Sequence, residues 1–118
     1  VIGAISDDGG EIYDPESGEW SSTAVMSGGR YNHTASLMND GTILVVGGWR
    51  ATTLNKVAEI ELYNSESNTW SEVATLNPAR EEHTATYLGD NDGRVLIVGG
   101  RGQEGNLTSS VLVFPAAK

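Results

Sequence analysis

Two stretches of this chain are near-copies of each other, displaced by about fifty residues. Arg30-Tyr31-Asn32-His33-Thr34-Ala35 returns as Arg80-Glu81-Glu82-His83-Thr84-Ala85. Val45-Val46-Gly47-Gly48 returns as Ile97-Val98-Gly99-Gly100. Glu61-Leu62-Tyr63-Asn64, followed by Asn68-Thr69-Trp70, has an earlier twin in Glu11-Ile12-Tyr13-Asp14, followed by Gly18-Glu19-Trp20. The Arg, His and Trp positions each recur after 50 residues, the Gly-Gly pair after 52. A repeat of this length marks an architecture in which each unit buries its apolar face only by stacking on its neighbours.

Within a unit the apolar segments are short and β-branched. Residues 42–46 and 94–98 are near-continuous aliphatic runs, as expected of strands buried on both faces. Each follows a turn signal, Asn39-Asp40-Gly41 in one unit and Asp90-Asn91-Asp92-Gly93 in the other. Residues 33–38 should therefore pair antiparallel with 42–46, and 83–88 with 94–98. A variable segment follows each Gly-Gly pair, at 49–56 and 101–108. A third, alternating strand then runs through 57–63, and a fourth begins at Trp70, as at Trp20 in the earlier copy. Four strands per unit describe a blade of a β-propeller. A short helix from Leu54 to Leu62 is the weaker alternative, resting on Leu54, Val57, Ala58 and Glu61.

Composition narrows the function. The 118 residues carry 16 acidic and 7 basic side chains, a net charge of −9, which argues against nucleic-acid and anionic-membrane partners. No cysteine is present, so disulfides and thiol chemistry are excluded. No apolar run approaches the length of a membrane span, and no signal peptide is evident. Val1 is not a start methionine, so a processed or excised chain is expected.

The pattern resembles the kelch repeat, including the form found in galactose-oxidase-like propellers. The residues that carry the resemblance are Gly47, Gly48, Gly99, Gly100, Tyr13, Tyr63, Trp20 and Trp70, with Arg30 and Arg80 ahead of each His-Thr-Ala strand. It departs at Val1-Ile2-Gly3-Ala4, where Ala4 stands for the second Gly, and in the short link from Gly3 to Tyr13. The resemblance implies an all-β fold of four-stranded antiparallel blades. The expected division is a partial blade at 1–26, a blade at 30–76 and an incomplete blade at 80–114, about two and a half blades. Exposed blade faces and strand edges would favour association, as part of a larger propeller, a ring of copies or an open array. Copper-radical oxidase chemistry does not carry over, because its Tyr–Cys pair has no counterpart here.

The candidate sites divide into three groups. His33 and His83 occupy equivalent positions without the converging ligands of a metal site, so a structural role is expected and no metal or cofactor. Asp7-Asp8-Gly9-Gly10 and Asp90-Asn91-Asp92-Gly93 lack the ligand spacing of a calcium loop and read as turns. Asn32 and Asn106 open sequon matches and are candidate glycosylation sites. The strongest binding signal is the sorting of loops. Links between strands four and one, and between two and three, share one face and hold Arg30, Tyr31, Trp49, Arg50, Lys56, Arg80 and Arg101. The opposite face receives Asp14, Glu16, Glu19, Asp40, Glu66, Asp90 and Asp92. For Arg30 and Arg80, a structural role against Glu81, Glu82 or backbone carbonyls and a ligand-binding role weigh equally. These residues point to a binding or assembly module that recognises an acidic peptide, another protein or an anionic glycan through the loop face, or other copies of itself. The alternatives are a purely structural ring or filament protein and a non-catalytic piece of a galactose-oxidase-like secreted enzyme. An extracellular or cell-surface setting is favoured over a cytoplasmic one.

Overall fold

The aliphatic runs become middle strands of consecutive antiparallel sheets. The computed structural model describes residues 2–3, 9–50, 52–89 and 91–115. The N-terminal sheet has the order β1-β2-β3, from β1 (Ile2–Gly3), β2 (Gly9–Asp14) and β3 (Glu19–Val25). The central sheet is four-stranded, β4-β5-β8-β9, from β4 (Thr34–Leu37), β5 (Ile43–Val46), β8 (Glu59–Asn64) and β9 (Thr69–Thr75). Between β5 and β8 a two-stranded ribbon intervenes, β6 (Trp49–Arg50) with β7 (Asn55–Lys56). The C-terminal sheet is β10 (Thr84–Tyr87), β11 (Val95–Val98) and β12 (Val111–Phe114), with a 3-10 turn at Gln103–Gly105 before β12.

The expected pairings form. Thr34 faces Val46 and Leu37 faces Ile43 across β4 and β5, and Thr84 faces Val98 across β10 and β11. Trp20 and Trp70 lie on equivalent strands, opposite Tyr13 and Tyr63 respectively. The central sheet has four strands; the flanking sheets have three each among the described residues. The helix alternative over 54–62 fails, because Leu54 ends a turn and strands follow it. Its apolar residues meet the requirements of a sheet: Ile60 pairs with Val46, and Leu62 with Leu44.

The turn before β5 shows why the strand starts where it does. Asp40 Oδ1 accepts from the Thr42 amide at 3.0 Å, and Gly41 takes a φ of +83° that a side chain would resist. The same logic closes the β8–β9 turn, where Asn64 Oδ1 accepts from the Glu66 amide at 2.9 Å.

The core lies between the central and C-terminal sheets. Leu44, Val46, Ile60 and Leu76 meet Val95 and Ile97, with Leu112, Phe114, Ala85 and Tyr87 packed around them. Each fully buried aliphatic here contributes about 1.5–3 kcal/mol. The N-terminal sheet is joined to the central one by a polar latch. Trp70 Nε1 donates to the Ala24 carbonyl at 2.8 Å, and the Ala24 amide donates to Asn68 Oδ1 at 2.7 Å. Tyr63 completes the latch, its hydroxyl donating to the same Asn68 oxygen at 2.9 Å and its ring 4.8 Å from that of Trp70. The first interface thus rests on side chains from both sheets, whereas the latch sets side chains of the central unit against the Ala24 backbone of the N-terminal sheet.

Truncation should separate these roles. Leu44→Ala is expected to lower unfolding stability by about 2–5 kcal/mol in urea titrations. Leu54→Ala, at a turn residue that is 73% exposed, should stay within about 0.5 kcal/mol of the parent chain. Equal losses in the two variants would contradict the placement of the core.

Candidate functional site

Arg30 and Arg80 are the most deeply buried charged groups, each with 0% of its surface exposed. Each sits just ahead of the first strand of its sheet and turns its guanidinium inward. Arg30 Nη1 donates to the carbonyls of Gly47 at 3.2 Å and Glu59 at 2.9 Å. Its Nη2 pairs with the Glu61 carboxylate. Glu61 also accepts from the amide and hydroxyl of Ser27, both at 2.9 Å. Arg80 repeats the arrangement with different partners: Nη1 reaches the carbonyls of Gly99 at 3.2 Å and Ser110 at 3.1 Å, and Nη2 donates to the Ser110 hydroxyl. Leu112 stands where Glu61 does, opposite Ile97 as Glu61 is opposite Val45, so the Ser110 hydroxyl takes the second arm. Burial lowers the pKa of both arginines from the ordinary value, and the Glu61 charge opposes this at Arg30.

This geometry corrects the ligand-binding option for Arg30 and Arg80. Neither guanidinium reaches solvent: each is spent on carbonyls at the end of one strand and the start of the next. Glu81 and Glu82 are not their counter-ions. Glu81 pairs with Lys56, and Glu82 accepts from Arg101 Nε at 2.8 Å.

The remaining loop-face residues come together along one edge of the sheets. Tyr31 and Trp49 exchange backbone hydrogen bonds of 2.9 and 2.8 Å, and their rings lie 6.4 Å apart. Tyr31 is 42% exposed and Trp49 half-buried. Arg50 approaches Glu59 at 3.7 Å and Ser27 Oγ at 3.3 Å. The next unit continues the edge. Asn32 Nδ2 donates to Glu81 Oε2 at 2.9 Å, the Glu82 amide donates to the Asn32 carbonyl at 3.0 Å, and Gln103 bonds both Asn55 and the Lys56 amide. Burial works to raise the Glu81 carboxyl, but the Lys56 ammonium and the Asn32 amide outweigh it and hold its pKa below the usual range. Arg50, Lys56 and Arg101 each face a carboxylate of this chain, so the edge is not a bare basic patch.

At equivalent positions the backbone is fixed and the side chains vary. Glu81 and Arg101 exchange backbone bonds of 3.0 and 2.9 Å just as Tyr31 and Trp49 do. Gly48 and Gly100 permit this bridge: a Cβ would stand 2.6 Å from the Tyr31 carbonyl oxygen and 2.5 Å from that of Glu81. Sequence reasoning missed two exposed leucines on the same loops. Leu54 is 73% and Leu107 79% exposed, and Leu54 adopts a φ of +56°, unfavourable for a leucine. No sequence signal marks that backbone conformation. Glu61 had one: a carboxylate at an inward position of an alternating strand.

His83 is buried between the two sheets, its Nε2 2.8 Å from Thr34 Oγ1 and its ring against Gly47. Burial, with Arg80 and His33 nearby, lowers its pKa from 6.5 to about 4. Burial and Arg30 lower that of His33 as well. Among the described residues no group of three His, Cys, Asp or Glu could hold a metal ion, and no helix is long and apolar enough to cross a membrane. Of the acidic loops, Asp7, Asp8 and Asp90 lie outside the described residues. The amide of Glu16 and the hydroxyl of Ser17 hold the Asp14 carboxyl below its usual pKa, and Thr42 does the same for Asp40. Both carboxylates thus serve turns on the face opposite the loops. Asn32 spends its amide on Glu81, whereas Asn106 is exposed.

The family model for the Kelch motif matches residues 29–77. The matched stretch contains the whole four-stranded central sheet, the buried Arg30 and the Tyr63–Trp70 pair. This part of the chain therefore carries a kelch motif, on a largely β-sheet fold consistent with a kelch-like blade. A comparison with curated proteins gave no match.

Two measurements test the electrostatic reading. Glu61→Gln strands a buried guanidinium and should cost about 3–5 kcal/mol, whereas Glu82→Gln, at an exposed pair, should cost about 0–1 kcal/mol. For His83, the unfolded chain binds a proton that the folded chain resists. Its contribution to stability is complete above about pH 6.5 and falls progressively as pH drops toward about 4. His83→Gln should flatten that part of the stability–pH profile; an unchanged slope would show that His83 titrates normally.

Proposed function

We propose that this chain is a non-catalytic binding module of the kelch β-propeller type that takes a protein segment on its loop face through Tyr31 and Trp49. The observation that carries this reading is the shared backbone bridge with unlike side chains. Folding needs the bridge at 31/49 and at 81/101, but not an aromatic pair at one and two charged side chains, each paired elsewhere, at the other. Tyr31 and Trp49 are thus large, partly exposed groups that the fold does not require. Leu54 and Leu107 stand on the same loops, apolar and open to water.

The occupant is a peptide segment with aromatic or aliphatic side chains, held by Tyr31, Trp49 and Leu54, with polar contacts to Arg50 and Arg101. The purely anionic ligand suggested by four clustered arginines loses its basis, since Arg30 and Arg80 are committed inside and the other cations have internal carboxylate partners. Rigid aromatic groups with flanking arginines are the side chains that most often dominate protein interfaces.

Peptides selected from a random library on the purified chain test the reading. Trp49→Ala should weaken the selected peptides by about tenfold or more, and Glu66→Ala, on the opposite face, should leave them unaffected. Undiminished binding to Trp49→Ala, or peptides that map to the turns near Asp14, Asp40, Glu66 and Asp92, would overturn it.

A further inference from the structure

The turn between the first two strands carries the same three residues in both units: Asn39-Asp40-Gly41 returns as Asn91-Asp92-Gly93. Stacking of the central and C-terminal sheets brings the two turns together, and a Cβ on Gly93 would stand 3.9 Å from Met38 Cε. Between them, on the face opposite the loops, lies a cavity of about 350 Å³. Met38, Leu62 and Tyr87, all half-buried, give it an apolar wall. Its rim is acidic: Asp40 and Asp92 line it, and no lysine or arginine is among its described lining residues. Asp40 Oδ1 accepts from the Thr42 amide at 3.0 Å and hydroxyl at 2.6 Å, which holds the carboxyl ionised and leaves Oδ2 as an acceptor. The Tyr87 hydroxyl is shut off from water, yet it has no hydrogen-bond partner among the described residues. A buried phenol is ordinarily bonded, so this oxygen has capacity to spare.

We propose that this cavity is a binding site for a small organic ammonium ion, one ring with a short amine tail, whose apolar body packs on Met38, Leu62 and Tyr87 and whose ammonium is directed to Asp40 and Asp92. Three observations select that occupant. The volume falls at the lower end of the range of small-molecule sites, about 300–1,000 Å³, and takes one ring with a short tail. Two carboxylates without a lining cation, on a chain of net charge −9, favour a positive head group and repel a negative one. The Tyr87 oxygen can accept from a ligand N–H as well as donate. Met38, with its flexible thioether, can adjust to the ring. These groups all lie between residues 38 and 92, with both stacked sheets present around them. Val73 and Phe114, from the edge strands β9 and β12, contribute only the outer wall. The cavity is separate from the loop face, so its test is independent of the peptide reading.

Three probes share a phenyl ring and differ in head group: phenethylammonium, phenethyl alcohol and 3-phenylpropionate. In NMR titrations of the labelled chain, phenethylammonium should shift the amides of residues 38–42 and 91–93 saturably. The alcohol should bind at least about tenfold more weakly, because its head group makes no charge-assisted bond, and the carboxylate should not bind. Asp40→Asn combined with Asp92→Asn keeps oxygen acceptors in both turns and removes the charge. It should weaken phenethylammonium at least about fivefold and erase its advantage over the alcohol, while circular dichroism retains the β-sheet spectrum. Asp92→Asn alone gives the same reading, smaller, should the double variant fail to fold. Met38→Trp fills the cavity and should block amine and alcohol alike. Trp49→Ala should bind the amine as the parent chain does. Absence of saturable shifts with phenethylammonium, equal binding of all three probes, shifts centred outside the two turns, or undiminished preference for the amine in the charge-free variant would each overturn the proposal.

Discussion

Two buried guanidinium groups hold this structure in register. Where a sheet strand ends in Gly-Gly and the chain leaves for a loop, Arg30 and Arg80 each bring one nitrogen, Nη1, to a carbonyl at the end of that strand and a carbonyl at the start of the next. The planar guanidinium also carries a second nitrogen, Nη2, which meets the Glu61 carboxylate at Arg30 and the Ser110 hydroxyl at Arg80. The arginines therefore recur every fifty residues for a reason of backbone accounting.

The same fork shows how a repeat tolerates divergence. Around Arg30 the second arm is met by a carboxylate, Glu61, itself fixed by Ser27. Around Arg80 a hydroxyl does the work, and the carboxylate position has become Leu112 inside the apolar core. The requirement conserved between the units is satisfaction of buried polar groups; the identity of the acceptor is free. The backbone bridge at 31/49 and 81/101 follows the same rule, with its geometry fixed by Gly48 and Gly100 and its outward side chains released for other uses.

Interfaces between successive sheets are built differently. The central and C-terminal sheets meet through aliphatic packing, with His83 and Thr34 as a polar contact at one end. The N-terminal and central sheets meet through the latch from Trp70 and Asn68 onto Ala24. Trp20, the twin of Trp70, is 56% exposed, and Gly18 stands in place of Asn68, so the N-terminal sheet offers only half of such a latch. The outer faces of the array thus differ from the inner ones in a way the repeat makes measurable.

The sequence by itself determined the strands, their order and their pairing. Aliphatic runs bounded by Asp-Gly turns can satisfy their backbone and bury their side chains only as middle strands, and the fifty-residue period placed Tyr63 and Trp70 on neighbouring strands. It also located the loops that share a face with Trp49. It did not determine the roles of the arginines, because an inward and an outward guanidinium have the same spacing along the chain. That choice depends on which carbonyls, carboxylates and hydroxyls come within reach of each guanidinium, and this exists only once the sheets are formed. Burial of His83, the pairing of Lys56 with Glu81 and the exposed, left-handed Leu54 are likewise products of which sheet packs on which. Local pattern fixes the period of a strand; the fate of a charge such as Arg30 is decided by groups 17 to 31 residues away that only the fold brings within reach.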